Sequence, residues 1–106
     1  MKKYQLVHGD LLKSPAKYIA HQINCKTDKA KGLSDAIFGK YPYANVYGDG
    51  TERVPGKIIV RGDGHQQRYV INMVAQVYPG KPNHHNDTSA FRLEWFRNCL
   101  KLITGI

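Results

Sequence analysis

Hydrophobic and polar positions along the first half of the chain predict two strands followed by a helix. The alternation over Tyr4–His8 stops at Gly9, which is typical of a short strand that enters a turn. Tyr18–Asn24 is mostly apolar, with its polar residues near the C-terminal end, as in a strand buried on both faces. A helical spacing then relates Leu33, Ile37, Phe38 and Tyr41. That helix should end near Pro42.

The second half of the pattern predicts a hairpin and a longer helix. A turn rich in glycine separates two β-rich runs, Lys57–Arg61 and Arg68–Ala75. An extended loop with two prolines follows, and Asp87–Ser89 supplies N-cap candidates for a helix of about 14 residues. The apolar stripe of this helix consists of Phe91, Trp95, Phe96, Cys99, Leu100 and Ile103. Its helical spacing predicts a core face that packs on a sheet.

The order of these elements predicts one α/β domain that spans residues 1–106. Strands, a hairpin and helices in this order indicate a mixed sheet with helices against it. A chain of 106 residues is too short for a second core. In sheets of this kind, ligands favour the carboxyl ends of the strands.

Charge narrows the classes of partner. Sixteen Lys and Arg against eight Asp and Glu give a formal charge of +8, which attracts phosphates, nucleotides or nucleic acid. Because no nucleic-acid-binding motif is recognisable, we do not favour a nucleic-acid partner, although the charge leaves it open. No apolar run reaches the roughly 18 residues of a membrane span, so no membrane partner is expected.

The cysteines and the N-terminus favour an intracellular protein, cytoplasmic with a nuclear location left open. Cys25 and Cys99 lie far apart, and the first residues lead into no apolar signal segment. Cys25 is a candidate nucleophile with His21 nearby, but we favour a buried structural thiol. The adjacent His84 and His85 should point apart, so we predict no metal and no cofactor.

Polar and glycine residues at the predicted strand ends and at the helix start could carry binding. Asp10 follows the first strand, Asn24 ends the second, and Lys29–Leu33 leads into the helix. A carboxylate can accept from an exocyclic amine, an amide can bond ribose hydroxyls, and helix N-terminal amides can hold a pyrophosphate. Structural interpretations stay open: Asp10 as a turn residue, Asn24 as a loop cap, and Gly32 as a helix-start glycine.

Two further polar residues lie at or just beyond the end of a predicted inner strand. Asn72 and Gln76 could orient a water or a ribose there. The alternative is that they are satisfied polar groups at a strand terminus.

Segments along the whole chain carry a family resemblance. The first are Gly9-Asp10-Leu11, Tyr18-Ile-Ala-His-Gln-Ile-Asn24-Cys25 and Ala30-Lys-Gly32-Leu33. The later ones are Tyr41-Pro-Tyr-Ala-Asn-Val-Tyr47, Pro55-Gly-Lys-Ile-Ile, Val70-Ile-Asn-Met, Gln76, Tyr78-Pro-Gly-Lys-Pro82 and Trp95-Phe96. Together they resemble the macrodomain family, in the branch related to ADP-ribose-1''-phosphate phosphatases. The resemblance implies a three-layer mixed sheet flanked by helices.

The resemblance also implies a ligand, ADP-ribose or a derivative of it, free or linked to protein. Asp10 would bond the adenine amino group, Leu11 would line the adenine pocket, and Asn24 would contact the distal ribose. Ala30–Leu33 would offer backbone N–H groups to a phosphate, as the helix start itself indicates. The residues assigned to ligand binding are Asp10, Leu11, Ile23, Asn24, Ala30, Lys31, Gly32, Leu33, Asn72 and Gln76.

An enzymatic function is the alternative: an ADP-ribose-1''-phosphate phosphatase or an ADP-ribosyl hydrolase, with Asn24 and a held water doing the work. Family members continue past the last helix into another strand, a glycine-rich second loop and a helix, whereas this sequence stops at Ile106. Neither the lysine nucleophile nor the acid of the hydrolysing members has a counterpart. We expect a homo-oligomer or a complementing chain to cover the C-terminal sheet edge.

Overall fold

A computed structural model describes residues 17–105, so the predicted strand Tyr4–His8 and the candidate residues Asp10 and Leu11 lie outside the described residues. The elements are β1 (Tyr18–Ile23), α1 (Gly32–Lys40), a 3₁₀ turn (Pro42–Ala44), β2 (Ile58–Arg61), β3 (Tyr69–Val74), β4 (Asn83–His84), β5 (Asp87–Thr88) and α2 (Ser89–Thr104).

A mixed sheet with the order β1-β3-β2 forms the centre of the described fold. β1 runs parallel to β3, while β2 pairs with β3 in the antiparallel direction. The predicted hairpin is therefore confirmed, as is the α/β class with a mixed sheet. Gly62 begins the hairpin turn with a φ of +108°, and a Cβ there would collide with the carbonyl of Arg68. Only glycine fits this position without strain.

Helices α1 and α2 cover opposite faces of the sheet, because alternate residues of a strand point to opposite sides. One hydrophobic cluster joins β1 and β3 to α1, and its central residues are Ile19, Ile23, Val70, Val74, Ile37 and Phe38. The other joins β3 to α2 through Ile71, Met73, Cys99 and Ile103. Each helix thus buries one narrow apolar stripe.

Two expectations about burial need correction. β1 is buried on one face among the described residues, since Ala20 and Gln22 are exposed. Only part of the predicted α2 stripe is core: Cys99 and Ile103 are buried, whereas Phe91 is 41% exposed. The reason is that α2 packs mainly on β3, β5 and β2, so the described elements leave the flanks of the helix and the face of β1 on that side largely exposed. Within residues 17–105, no helix combines the length and hydrophobicity needed to cross a bilayer.

Candidate functional site

A cavity of about 280 Å³ opens at the carboxyl end of β1, beside the start of α1. Its volume lies just below the range of roughly 300–1,000 Å³ found for ligand pockets. The described lining residues are Gln22, Ile23, Asn24, Thr27, Lys29, Lys31, Ser34, Tyr47, Gln76, Pro79 and Gly80. The position agrees with the expected preference of ligands for carboxyl ends of strands in α/β sheets.

Asn24 organises the loop that forms the first wall of the cavity, residues 24–31. Its Oδ1 accepts hydrogen bonds from the backbone N–H groups of Lys26 and Thr27, both at 2.9 Å, and from the Thr27 hydroxyl at 3.2 Å. Its backbone N–H and its Nδ2 both donate to the hydroxyl of Tyr47. The structure thus gives Asn24 the loop-capping role that sequence reasoning had left open.

Arg53 holds the same wall from the other side. Its guanidinium donates to the backbone carbonyls of Asn24 at 2.9 Å and Thr27 at 2.8 Å. It also lies over the ring of Tyr47, 4.8 Å from the ring centre, and forms an ion pair with Asp28 at 3.6 Å. An arginine can serve all these groups at once because its donors form a rigid planar fork.

The second wall, residues 77–80, is held by a buried ion pair. Asp87 is fully buried, accepts from Arg92 Nε at 2.7 Å and Nη2 at 2.9 Å, and accepts from the backbone N–H groups of Val77 and Tyr78. Arg92 also donates to the carbonyls of Tyr78 and Gly80. The bonds from Arg92, with those from the backbone, keep the pKa of the Asp87 carboxyl below its usual value despite burial.

Positive charge gathers where the first wall meets α1. Lys29 and Lys31 both line the cavity, and Lys31 is the N-cap residue, with no capping bond from its side chain. Gly32 then begins the helix with a φ of +59°, a backbone conformation that favours glycine. The first N–H groups of a helix have no partner within the helix and carry partial positive charge. This corner therefore suits an anion.

The structure brings four of the predicted binding residues together at the cavity: Ile23, Asn24, Lys31 and Gln76. Ala30, Gly32 and Leu33 belong to the chain leading into α1 but are not among the described lining residues. Asn72 lies behind the wall, fully buried and bonded to His21, Ala44 and Ile59. It is thus a satisfied polar group, as the alternative interpretation described, but it lies within β3 and not at the end of the strand, where it was expected.

The residues predicted as a candidate nucleophile and as candidate metal ligands lie in surroundings that do not indicate either role. The Cys25 thiol donates to the carbonyl of Arg53 at 3.2 Å, and burial raises its pKa, which disfavours the reactive thiolate. Both cysteines are free thiols. His84 stacks on Tyr78 with ring centres 3.9 Å apart. The described part of the chain contains no group of three potential metal-binding side chains.

Sequence reasoning missed the residues that brace the walls and several that line the cavity, Ser34 among them. Tyr47 and Arg53 stand in loops, Asp87 in the two-residue strand β5, and Arg92 near the start of α2. At none of these places does a periodicity single out a functional side chain. Ser34 lies in the first turn of α1, and only its position just after Gly32 could have drawn attention to it.

No protein-family model, no curated protein and no solved structure matches this chain.

Proposed function

We propose that this protein binds ADP-ribose or a derivative of it, with the diphosphate held in the cavity at the start of α1. The observation that carries the proposal is the position of Lys29 and Lys31 at one cavity with the uncapped N-terminus of α1. Backbone N–H groups and lysine side chains are both common ligands of phosphate oxygens.

The rest of the lining suits a sugar diphosphate better than a bare anion. Asn24, Thr27 and Gln76 contribute polar side chains, while Ile23 and Pro79 contribute apolar surface. Ribose hydroxyls need amide and hydroxyl partners, and the sugar ring needs apolar contact. The net charge of +8 adds a long-range attraction for such a ligand.

A macrodomain-like three-layer fold is part of the same proposal. Helices α1 and α2 lie on opposite faces of a mixed sheet, and the cavity follows a parallel strand. These features agree with the fold implied by the sequence resemblance. In that arrangement the adenine would lie towards Asp10 and Leu11, outside the described residues.

We propose binding and not hydrolysis because the two candidate catalytic groups, the side chains of Asn24 and Cys25, are not in a state that favours catalysis. The Oδ1 of Asn24 accepts from the loop backbone, so it is not poised to activate a water. The raised pKa of Cys25 keeps its thiol protonated at neutral pH.

Isothermal titration with ADP-ribose tests this proposal. We expect saturable binding that persists at high salt, and about a tenfold loss in affinity for the double variant Lys29→Ala/Lys31→Ala. Lys101→Ala, an exposed lysine on α2, is the matched control and should bind like the wild type. Asp10→Ala tests the adenine contact that the resemblance implies.

A single-stranded oligonucleotide serves as the competing probe. Backbone binding to nucleic acid weakens steeply as salt rises, through counterion release, whereas a pocket for one dinucleotide is far less sensitive. Steep salt-dependent binding of the oligonucleotide without binding of ADP-ribose would overturn the proposal.

A further inference from the structure

A chain of hydrogen bonds connects the core of the protein to the wall of the cavity. His21 is buried on β1, and its Nε2 lies 2.6 Å from Oδ1 of Asn72, its register partner on β3. Its Nδ1 lies 2.9 Å from the hydroxyl oxygen of Ser34. Ser34 lines the cavity, so the far end of this chain of bonds faces the proposed ligand.

The bonds of Asn72 determine which histidine nitrogen carries a proton. Its Nδ2 donates to the backbone carbonyls of Ala44 at 3.2 Å and Ile59 at 3.1 Å, which orients its Oδ1 towards His21. An oxygen acceptor requires a donor, so Nε2 of His21 carries a hydrogen in both charge states. Any change in protonation therefore occurs at Nδ1, the nitrogen that faces Ser34.

The protonation state of Nδ1 decides what the Ser34 hydroxyl can donate to. In neutral His21, Nδ1 is an acceptor, so the Ser34 hydroxyl donates its hydrogen inward to the ring. In the imidazolium, Nδ1–H donates to the Ser34 oxygen, and the hydroxyl hydrogen must turn elsewhere. The backbone carbonyl of Gln22, at 3.3 Å, is one acceptor within reach, and an anion in the cavity would be another.

We propose that Ser34 is a further ligand-binding residue and that protonation of His21 switches its hydroxyl towards an anion in the cavity. The affinity for the anion should then rise as the pH falls. The proposal relies on the proposed function only for the identity of the ligand, because any anion of suitable size at the start of α1 would respond in the same way.

The surroundings of His21 allow such a switch. Burial lowers its pKa, against the opposing effect of the bond to Asn72, so the ring is neutral at neutral pH. A bound anion that accepts from Ser34 favours the protonated ring and must raise this pKa by linkage.

Within residues 17–105, burial and the bond to Asn72, and not a neighbouring charge, shift the pKa of His21. The elements packed on β1 are β3 and α1. On β3, Tyr69 stacks on Tyr18 at the N-terminal end of both strands, whereas the cavity lies at the carboxyl end of β1. On α1, Phe38 meets the ring edge-to-face, Asp35 is exposed next to Ser34, and Lys40 lies at the C-terminal end. The cavity side carries Lys29, Lys31 and the hydroxyl of Tyr47.

The test measures the affinity for ADP-ribose and, separately, for inorganic sulfate, at about pH 7.5 and about pH 5.5 and constant ionic strength. Neither probe changes its charge in this range. We expect the wild type to bind each probe about tenfold more tightly at the lower pH. Ser34→Ala and His21→Gln should remove most of that gain. His65→Gln, an exposed loop histidine, is the matched control and should keep it.

NMR titration of the His21 ring in the wild type provides a readout that does not depend on any variant folding. We expect the Nε2–H tautomer in the free protein and a higher pKa when the anion is bound. If sulfate binds more tightly at the lower pH but ADP-ribose does not bind, the result would support the switch and overturn the proposed function. The switch would be overturned if the affinity did not change with pH, or if Ser34→Ala kept the full gain in affinity at the lower pH. It would also be overturned if neither anion bound at all.

Discussion

Each wall of the cavity is held by one arginine, and the two arginines act in the same way on the backbone. Arg53 donates to the carbonyls of Asn24 and Thr27 in the first wall. Arg92 donates to the carbonyls of Tyr78 and Gly80 in the second. Their partner carboxylates differ: Asp87 is fully buried, whereas the side chain of Asp28 is 76% exposed.

The difference shows that the environment of an ion pair, more than its presence, determines what it does for a loop. Asp87 is buried away from water, and hydrogen bonds from Arg92 and from two backbone N–H groups take the place of its hydration. Asp28 stays hydrated, so the first wall depends on the contacts of Asn24 and Tyr47 and on the bonds from Arg53 to the backbone, more than on the ion pair. The two walls should therefore respond differently to mutation, pH and salt.

The largest effect is expected for Asp87→Asn. The variant leaves the guanidinium of Arg92 partly buried without its counter-charge, and breaking a buried pair in this way costs about 3–5 kcal/mol. Urea unfolding at neutral pH measures the loss. Arg92→Lys, which keeps the charge but not the planar fork, should also destabilise the protein, though less.

The same pair predicts how acid affects stability. The pKa of Asp87 is lowered in the folded protein, so its contribution is present above the unfolded value of about 3.9 and is lost as the pH falls through the folded value. Asp87→Asn should lack this part of the acid transition. If the variant and the wild type lose stability in parallel below about pH 4, the buried pair does not have the role assigned to it.

An intermediate effect is expected in the first wall for Tyr47→Phe. The change removes the hydroxyl that accepts from the backbone N–H and the Nδ2 of Asn24, leaving two buried donors without that partner. The expected cost is about 1–3 kcal/mol, while the ring contacts with Arg53 and Phe38 remain. Hydrogen exchange at the Asn24 amide reports it directly, and unchanged protection there would contradict the expected role of Tyr47.

Local patterns in the sequence predicted the elements that carry this site. The hairpin of β2 and β3, helix α1 and helix α2 each follow from spacing within one short segment. Asn24 and Lys31 were found because strand ends and helix starts are places where polar groups meet a ligand.

Two of the contacts at this site could not be predicted because they join residues that are distant in sequence. Arg53 reaches back to Asn24, and His21 meets Asn72 only through the register of β1 on β3. Neither pairing leaves a period or a motif in one segment. The extent of burial on β1 and α2 was missed for a related reason: spacing shows which face is apolar, but not how much of it a neighbour covers.

The smallest effect is expected for Asp28→Asn, which makes in the first wall the same change that Asp87→Asn makes in the second. Because the carboxylate is mostly in water, the loss should stay below about 1 kcal/mol and should vanish at about 1 M salt, where exposed charges are screened. The loss in Asp87→Asn should persist at that salt concentration, since buried pairs are screened far less. Urea unfolding of both variants at low and high salt measures the contrast. A loss for Asp28→Asn as large as that for Asp87→Asn would mean that both walls depend on charge, and that Arg53 needs its carboxylate to hold the backbone of the loop.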